Sequence, residues 1–193
     1  MRVPRQYNRY MQRISTPLRQ DLPPEGQRIW DEIDESRGGV WGPYAVLMHT
    51  PELALRIGSV GEYLRFRGKL SDVDRELAIL VAAHCSACEF EWFIHEPIAI
   101  VAGLSPDTLQ AIKESKTPDS LSCRQSLIIE IVSELFKTKT LSHESYVAAQ
   151  TEFDDDCLIE IVVIAGFYKM LAFVLNAFDV QVPEATERSS EEV

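Results

Sequence analysis

Apolar positions recur along the chain at three- and four-residue spacing, and that periodicity predicts helices from end to end. In PPEGQRIWDEIDESRGG, Ile29, Trp30 and Ile33 make one stripe between Pro24, a first-turn residue, and the stop at Gly38 and Gly39. In GPYAVLMHTPELALRIGSVGEYLRFRGKLS, Thr50 caps a helix opened by Pro51, and Leu53, Ile57, Leu64 and Phe66 supply surface to bury. Gly58, Gly61 and Gly68 weaken the expectation of an unbroken helix there. Ser71 and Asp74 resemble a capping box, and Leu77, Ile79, Leu80 and Val81 follow so densely that this helix is buried on most sides.

A further helix is expected from near Cys85 through IHEPIAIVAG, kinked at Pro97 and stopped at Gly103, with Ser105-Pro106 opening the next. Ser122 with Gln125 frames CRQSLIIEIVSELFKT, and Ser142 caps HESYVAAQ. Asp154 opens the longest apolar-rich stretch. Its run of Val and Ile at 159–164 is strand-like, but its length favours a helix. The expectation is one all-α domain of seven or eight helices over 23–183, with a basic arm at 1–22 and an acidic, flexible tail at 184–193. Several helices are apolar on more than one face, which points to a homo-oligomer.

Composition narrows the partners. The 193 residues carry 19 Lys plus Arg against 30 Asp plus Glu, a net charge of -11 that repels phosphate backbones and excludes general nucleic-acid binding. The arm with Arg2, Arg5, Arg9, Arg13 and Arg19, interleaved with Tyr7, Tyr10 and Met11, reads as a partly ordered tail or as a patch for an anionic partner. No apolar leader and no uninterrupted apolar run of about 18 residues is present, so a cytoplasmic, reducing setting without a membrane role is expected. Cys85, Cys88, Cys123 and Cys157 are then thiols. Cys123 and Cys157 read as structural.

The chemistry gathers in HCSACEFEWFIHE, His84 to Glu96. On one helix Cys88, Glu91, Trp92 and His95 share a face, with Cys85 one turn back. Cys85-x-x-Cys88 reads as a redox pair if the first thiol opens a helix, or as two small buried hydrophobes. His84, Cys85, Cys88 and His95 do not match a zinc-finger spacing, and no HExxH occurs, so no metal is expected. His95 is a hydrogen-bonded core histidine, or a proton shuttle with Glu91 or Glu76. Glu76, amid apolar neighbours, is either salt-bridged to Arg75, Arg56 or Arg65, or a half-buried base. Trp92 is core or a pocket wall. No phosphate loop and no GxSxG elbow occurs.

RELAILVAAHCSACEFEWFIHEPIAIVAGLS resembles the carboxymuconolactone decarboxylase family, which includes the AhpD-like alkylhydroperoxidases. The likeness rests on Cys88, Phe90, Glu91-Trp92, His95 and Glu96-Pro97, and extends from about Pro43 to Pro183. It implies a helical bundle around a central hairpin, assembled as a dimer, trimer or hexamer. The family's redox branch carries a glutamate, a CxxC pair and a histidine. In that register the residues are Glu76, Cys88 and His95, and Glu91 stands where the second cysteine belongs. Near the C-terminal helix Ala165-Gly166-Phe167-Tyr168 replaces the decarboxylases' glycine-proline pattern. The expected function is acid/base chemistry on a small organic acid or lactone without metal or organic cofactor. Glu76, Cys88, Glu91 and His95 would be catalytic, and Cys85, Trp92, Tyr168, Arg56 and Arg65 would line the pocket. The alternatives are a thiol peroxidase using Cys88 with Cys85, and a non-catalytic structural or regulatory oligomer.

Overall fold

Serine and proline punctuate the helices much as the pattern predicts. The computed structural model describes residues 12–118 and 121–183. Within them lie α1 (Pro24–Arg37), α2 (Pro43–Leu47), α3 (Pro51–Phe66), α4 (Asp72–Cys85), α5 (Glu89–Ala102), α6 (Pro106–Lys113), α7 (Cys123–Thr138), α8 (His143–Ala149) and α9 (Asp155–Ala177). A 3-10 turn at Arg19–Asp21 precedes α1, and no strand occurs among the described residues. The architecture is all-α. Arg2, Arg5, Arg9, Tyr7, Tyr10, Met11 and the tail at 184–193 lie outside the described residues.

The chain groups into two units, Met1–Glu62 with Val174–Val193, and Tyr63–Phe173. In the first, Ile29, Ile33, Tyr44, Leu47, Met48 and Ala54 make the core, with Trp30 and Ile57 packed on it. The short helix α2 was not separated by the sequence pattern. Gly42, at φ 57°, turns the chain into it, and all five of its residues are buried. The Arg37 guanidinium lies over the Tyr44 ring and donates to the Gly58 carbonyl at 2.7 Å. Gly58 therefore sits within a continuous α3 rather than breaking it. Leu53 and Phe66, expected to be buried, are exposed. From the arm, Arg13 donates to the carbonyls of Phe178 and Ala177, and Arg19 pairs with Asp31 at 2.5 Å.

In the second unit α4 is central and packs against α5, α7 and α6. Leu77 through Ala83 are all buried, so α4 has no polar face in its middle. Its start is fixed by Ser71, which accepts from the Asp74 amide, and by Arg124 of α7, whose Nε reaches Asp74 Oδ2 at 2.6 Å. The α7 capping box is complete, with reciprocal bonds between Ser122 and Gln125 at 3.0 and 3.1 Å.

The boundary near Cys85 differs from expectation. Cys85 ends α4, and Cys88 caps α5, which runs unbroken through Pro97. The amide of Cys88 donates to Ala83 O and that of Ala87 to His84 O, the bonding of a Schellman stop. Ala87, at φ 48°, holds the left-handed position where glycine is usual. With no glycine to mark it, this stop was invisible in the sequence. α9 is also long and apolar enough to cross a membrane by length and composition. More than half of its most apolar stretch is nevertheless buried inside the protein.

Candidate active site on the α4–α5 hairpin

The hairpin brings together three ionisable side chains that a core normally refuses. Glu76 lies in the second turn of α4, while Glu91 and His95 lie one turn apart on α5. They are 1%, 4% and 3% exposed. His95 Nδ1 is 2.7 Å from Glu76 Oε2. On the other side of the ring, Nε2 lies 3.6 Å from Glu91 Oε2, too long for a hydrogen bond but within reach of a small shift. The imidazole is thus held between two buried carboxyl groups. Tyr168 of α9 meets the ring edge-on, centroids 5.1 Å apart and planes at 87°.

The two carboxyl groups are driven in opposite directions. Burial pushes Glu76 up, but the hydrogen bond and charge of His95, with Arg75 and Arg65, outweigh it and leave the carboxyl below its ordinary value. Arg75 Nε stands 3.3 Å from Glu76 Oε1, while its Nη1 holds Asp72 at 2.9 Å. Burial dominates at Glu91 and raises it. His95 and Arg65 oppose that shift, and the nearby Glu76 adds to it. Environments that push a pair of titratable groups in opposite directions set one to hold a proton and the other to do without.

Cys88 is buried as the α5 cap. Burial lifts its thiol to about 11, although the amides of Glu91 and Phe90 pull it back. Cys85 is exposed at the end of α4, and desolvation of its thiol raises it as well, against a hydrogen bond with Ser133. Cys85 ends α4 instead of opening a helix, whereas Cys88 stands at the N-cap of α5 with its thiol buried.

The other expected pocket residues divide. Tyr168 and Arg65 belong to the cluster by contact and by charge. Trp92 is buried but engaged elsewhere, with Lys113 Nζ 4.9 Å from its ring centroid and His84 edge-on at 6.4 Å. Arg56 is exposed and pairs with Glu52 at 2.7 Å. Arg75, weighed only as a structural partner, is the cation touching Glu76. Among the described residues no group of three or more His, Cys, Asp or Glu side chains is arranged to hold a metal ion.

Residues 51–132, α3 to within α7, match the model of the carboxymuconolactone decarboxylase family. No curated protein matches the sequence. Among solved structures, the chain is similar to an uncharacterized peroxidase-related protein with an alkylhydroperoxidase AhpD core from Ralstonia eutropha JMP134. The TM-score is 0.75 and the identity 16%, covering 90% of this chain and 93% of that one. A peroxidase-related protein from Silicibacter sp. TM1040 gives 0.75 and 17%, covering 92% and 94%. The debrominase Bmp8 gives 0.69 and 17%, covering 95% and 96%. These likenesses show the helical fold shared across nine tenths of the chain. The family match covers the hairpin that carries Glu76, Glu91 and His95.

Proposed function

We propose that the protein is an acid/base enzyme acting on a small carbon acid, such as a carboxylated lactone, and that His95 between Glu76 and Glu91 is its proton relay. The observation that carries this reading is the imidazole 2.7 Å from one buried carboxyl and 3.6 Å from another. Ionised Glu76 accepts a hydrogen bond from His95 Nδ1 and so fixes the tautomer with Nε2 toward Glu91. Burial raises Glu91, which favours its protonated form. When a substrate carboxylate leaves as CO₂, its electron pair stays on carbon. The Glu91 proton moves to that carbon, and solvent restores the acid. His95 Nε2 carries that restoring proton from solvent to Glu91, and Glu76 stabilises the transient imidazolium. Arg65, whose charge already acts on both carboxyl groups, offsets the substrate's negative charge.

The same features weigh against thiol chemistry. Glu91 stands where the redox branch has its second cysteine, and Cys88 is held protonated by burial. The test is turnover of small carboxylated lactones in D₂O, followed by CO₂ release and by deuterium on the product carbon. The wild type is expected to incorporate deuterium, and His95→Gln and Glu91→Gln to lose turnover. Unchanged turnover in His95→Gln overturns the reading. So does turnover of an organic hydroperoxide accompanied by a Cys85–Cys88 disulfide in the intact mass.

A further inference from the structure

Arg75 touches the relay at its outer end. It directly precedes Glu76 on α4, and successive side chains leave a helix about 100° apart, so neighbours in sequence do not ordinarily face each other. Here the guanidinium bends round to meet Glu76 all the same, with Nε 3.3 Å from Oε1. Asp72, one turn back, holds it through Nη1 at 2.9 Å. Exposure falls along this row, from 75% at the Asp72 side chain to 13% at Arg75 and 1% at Glu76. Each Glu76 oxygen thus has its own partner, Oε1 the guanidinium and Oε2 the imidazole Nδ1 at 2.7 Å.

We propose that Arg75 is a positioning residue for the relay: it keeps the Glu76 carboxyl ionised and turned with Oε2 to His95 Nδ1, and thereby leaves Nε2 as the ring nitrogen free to take up a proton. Two observations support this. The first is geometric. A guanidinium only donates and stays charged, so with Nε–H aimed at Oε1 a carboxyl proton has no place on that oxygen. The proton could sit only on Oε2. There it would make Nδ1 an acceptor and put the ring hydrogen on Nε2, the wrong tautomer for receiving a proton on the Glu91 side. The second is that Arg75 distinguishes the two glutamates. His95 and Arg65 draw both carboxyl groups down, and Arg75 adds to that at Glu76, whereas the charges acting on Glu91 are those of His95, Arg65 and Glu76. Lys113 of α6 and Arg124 of α7, on helices packed against α4, are held by Glu96 and Asp74 instead. From α9 the neutral ring of Tyr168 meets His95 edge-on. The inference rests on the relay proposed above, but its test reads Glu76 without substrate, so the two can fail separately.

Carbon-13 NMR of the glutamate carboxyls in the full chain follows the pH at which Glu76 titrates, its signal being assigned by its loss in Glu76→Gln. Arg75→Met keeps an unbranched stem and removes the charge. It is expected to move the Glu76 titration to higher pH, and the acid limb of the kcat profile with it. Arg75→Lys keeps the charge without the planar fork, and is expected to return most of that shift. A role in packing alone would reverse the order, with Arg75→Met tolerated. Should Arg75→Met lose its helical circular dichroism spectrum, Arg75→Gln takes its place with the same expectation. Glu76 titrating in Arg75→Met as in the wild type overturns the proposal, as does an equal shift in Arg75→Met and Arg75→Lys. Deuterium incorporation by an Arg75→Met enzyme whose Glu76 is unshifted removes Arg75 from the account and keeps the relay. A shifted Glu76 in a protein that turns over no carboxylated lactone upholds the hold of Arg75 on Glu76 and overturns the proposed function instead.

Discussion

Glu160 and Glu91 are buried alike, 5% and 4% exposed, yet their surroundings differ. Glu160, on α9, accepts from the Lys69 amide at both carboxylate oxygens, 3.0 and 2.9 Å away, and from the Leu70 amide at 3.2 Å. A carboxylate so surrounded closes the α3–α4 turn and has no capacity left for chemistry. Glu91 receives no such donor among the described residues. The His95 imidazole lies 3.6 Å from it, and burial raises the Glu91 carboxyl. Satisfaction makes a buried acid structural, and incomplete satisfaction leaves it poised to transfer a proton.

The largest effect expected is on turnover. Glu91→Gln and His95→Gln should each lower kcat by about 10²–10⁴, the usual worth of a positioned acid or base. Glu160→Gln should leave kcat of the folded enzyme unchanged in the same assay. Equal losses from all three would erase the distinction. Stability should reverse the order. Glu160→Ala strands two main-chain donors and should cost about 2–3 kcal/mol in denaturant unfolding. Gly68→Ala tests the same contact from the other side. Its Cβ would lie 2.7 Å from Glu160 Oε2, so the carboxylate must move, at about 1–3 kcal/mol.

A smaller, pH-dependent effect belongs to Glu91 alone. Its folded value lies above its unfolded one, so its burial costs nothing below the ordinary carboxyl range. The cost grows as pH climbs from that range toward the raised value. Glu91→Gln removes it. The variant's Tm should exceed the wild type's at neutral pH, with the gap closing near pH 4. Glu76, lowered on folding, has the opposite sign. Its contribution is present at neutral pH and is lost as pH falls through the acid range. The smallest effect is expected from Cys85→Ser, which should leave acid/base turnover within the error of the assay.

What the sequence disclosed follows from where each interaction is made. The caps at Ser71, Ser122 and Ser142 are bonds between residues three apart, and their pattern marked the helix starts correctly. Glu76, Glu91 and His95 stood out because charged groups interrupted apolar helices at a register shared with a family. Glu160 interrupts an apolar run just as sharply, but its partners are main-chain amides 90 residues away, which no local pattern reveals. The α4 stop was hidden because alanine took a position usually marked by glycine. Phe66 was expected inside because a helical stripe gives the direction of a side chain without saying whether another element covers it.

The account rests on Glu91 holding a proton beside His95 where a free carboxyl would have lost it. Infrared difference spectroscopy of the wild type against Glu91→Gln near pH 6 reads this without any substrate, because an ordinary glutamate is about 98% ionised there. A protonated carboxyl C=O band present in the wild type and absent from the variant is the predicted result. A spectrum in which Glu91 contributes only ionised carboxylate bands would contradict the relay.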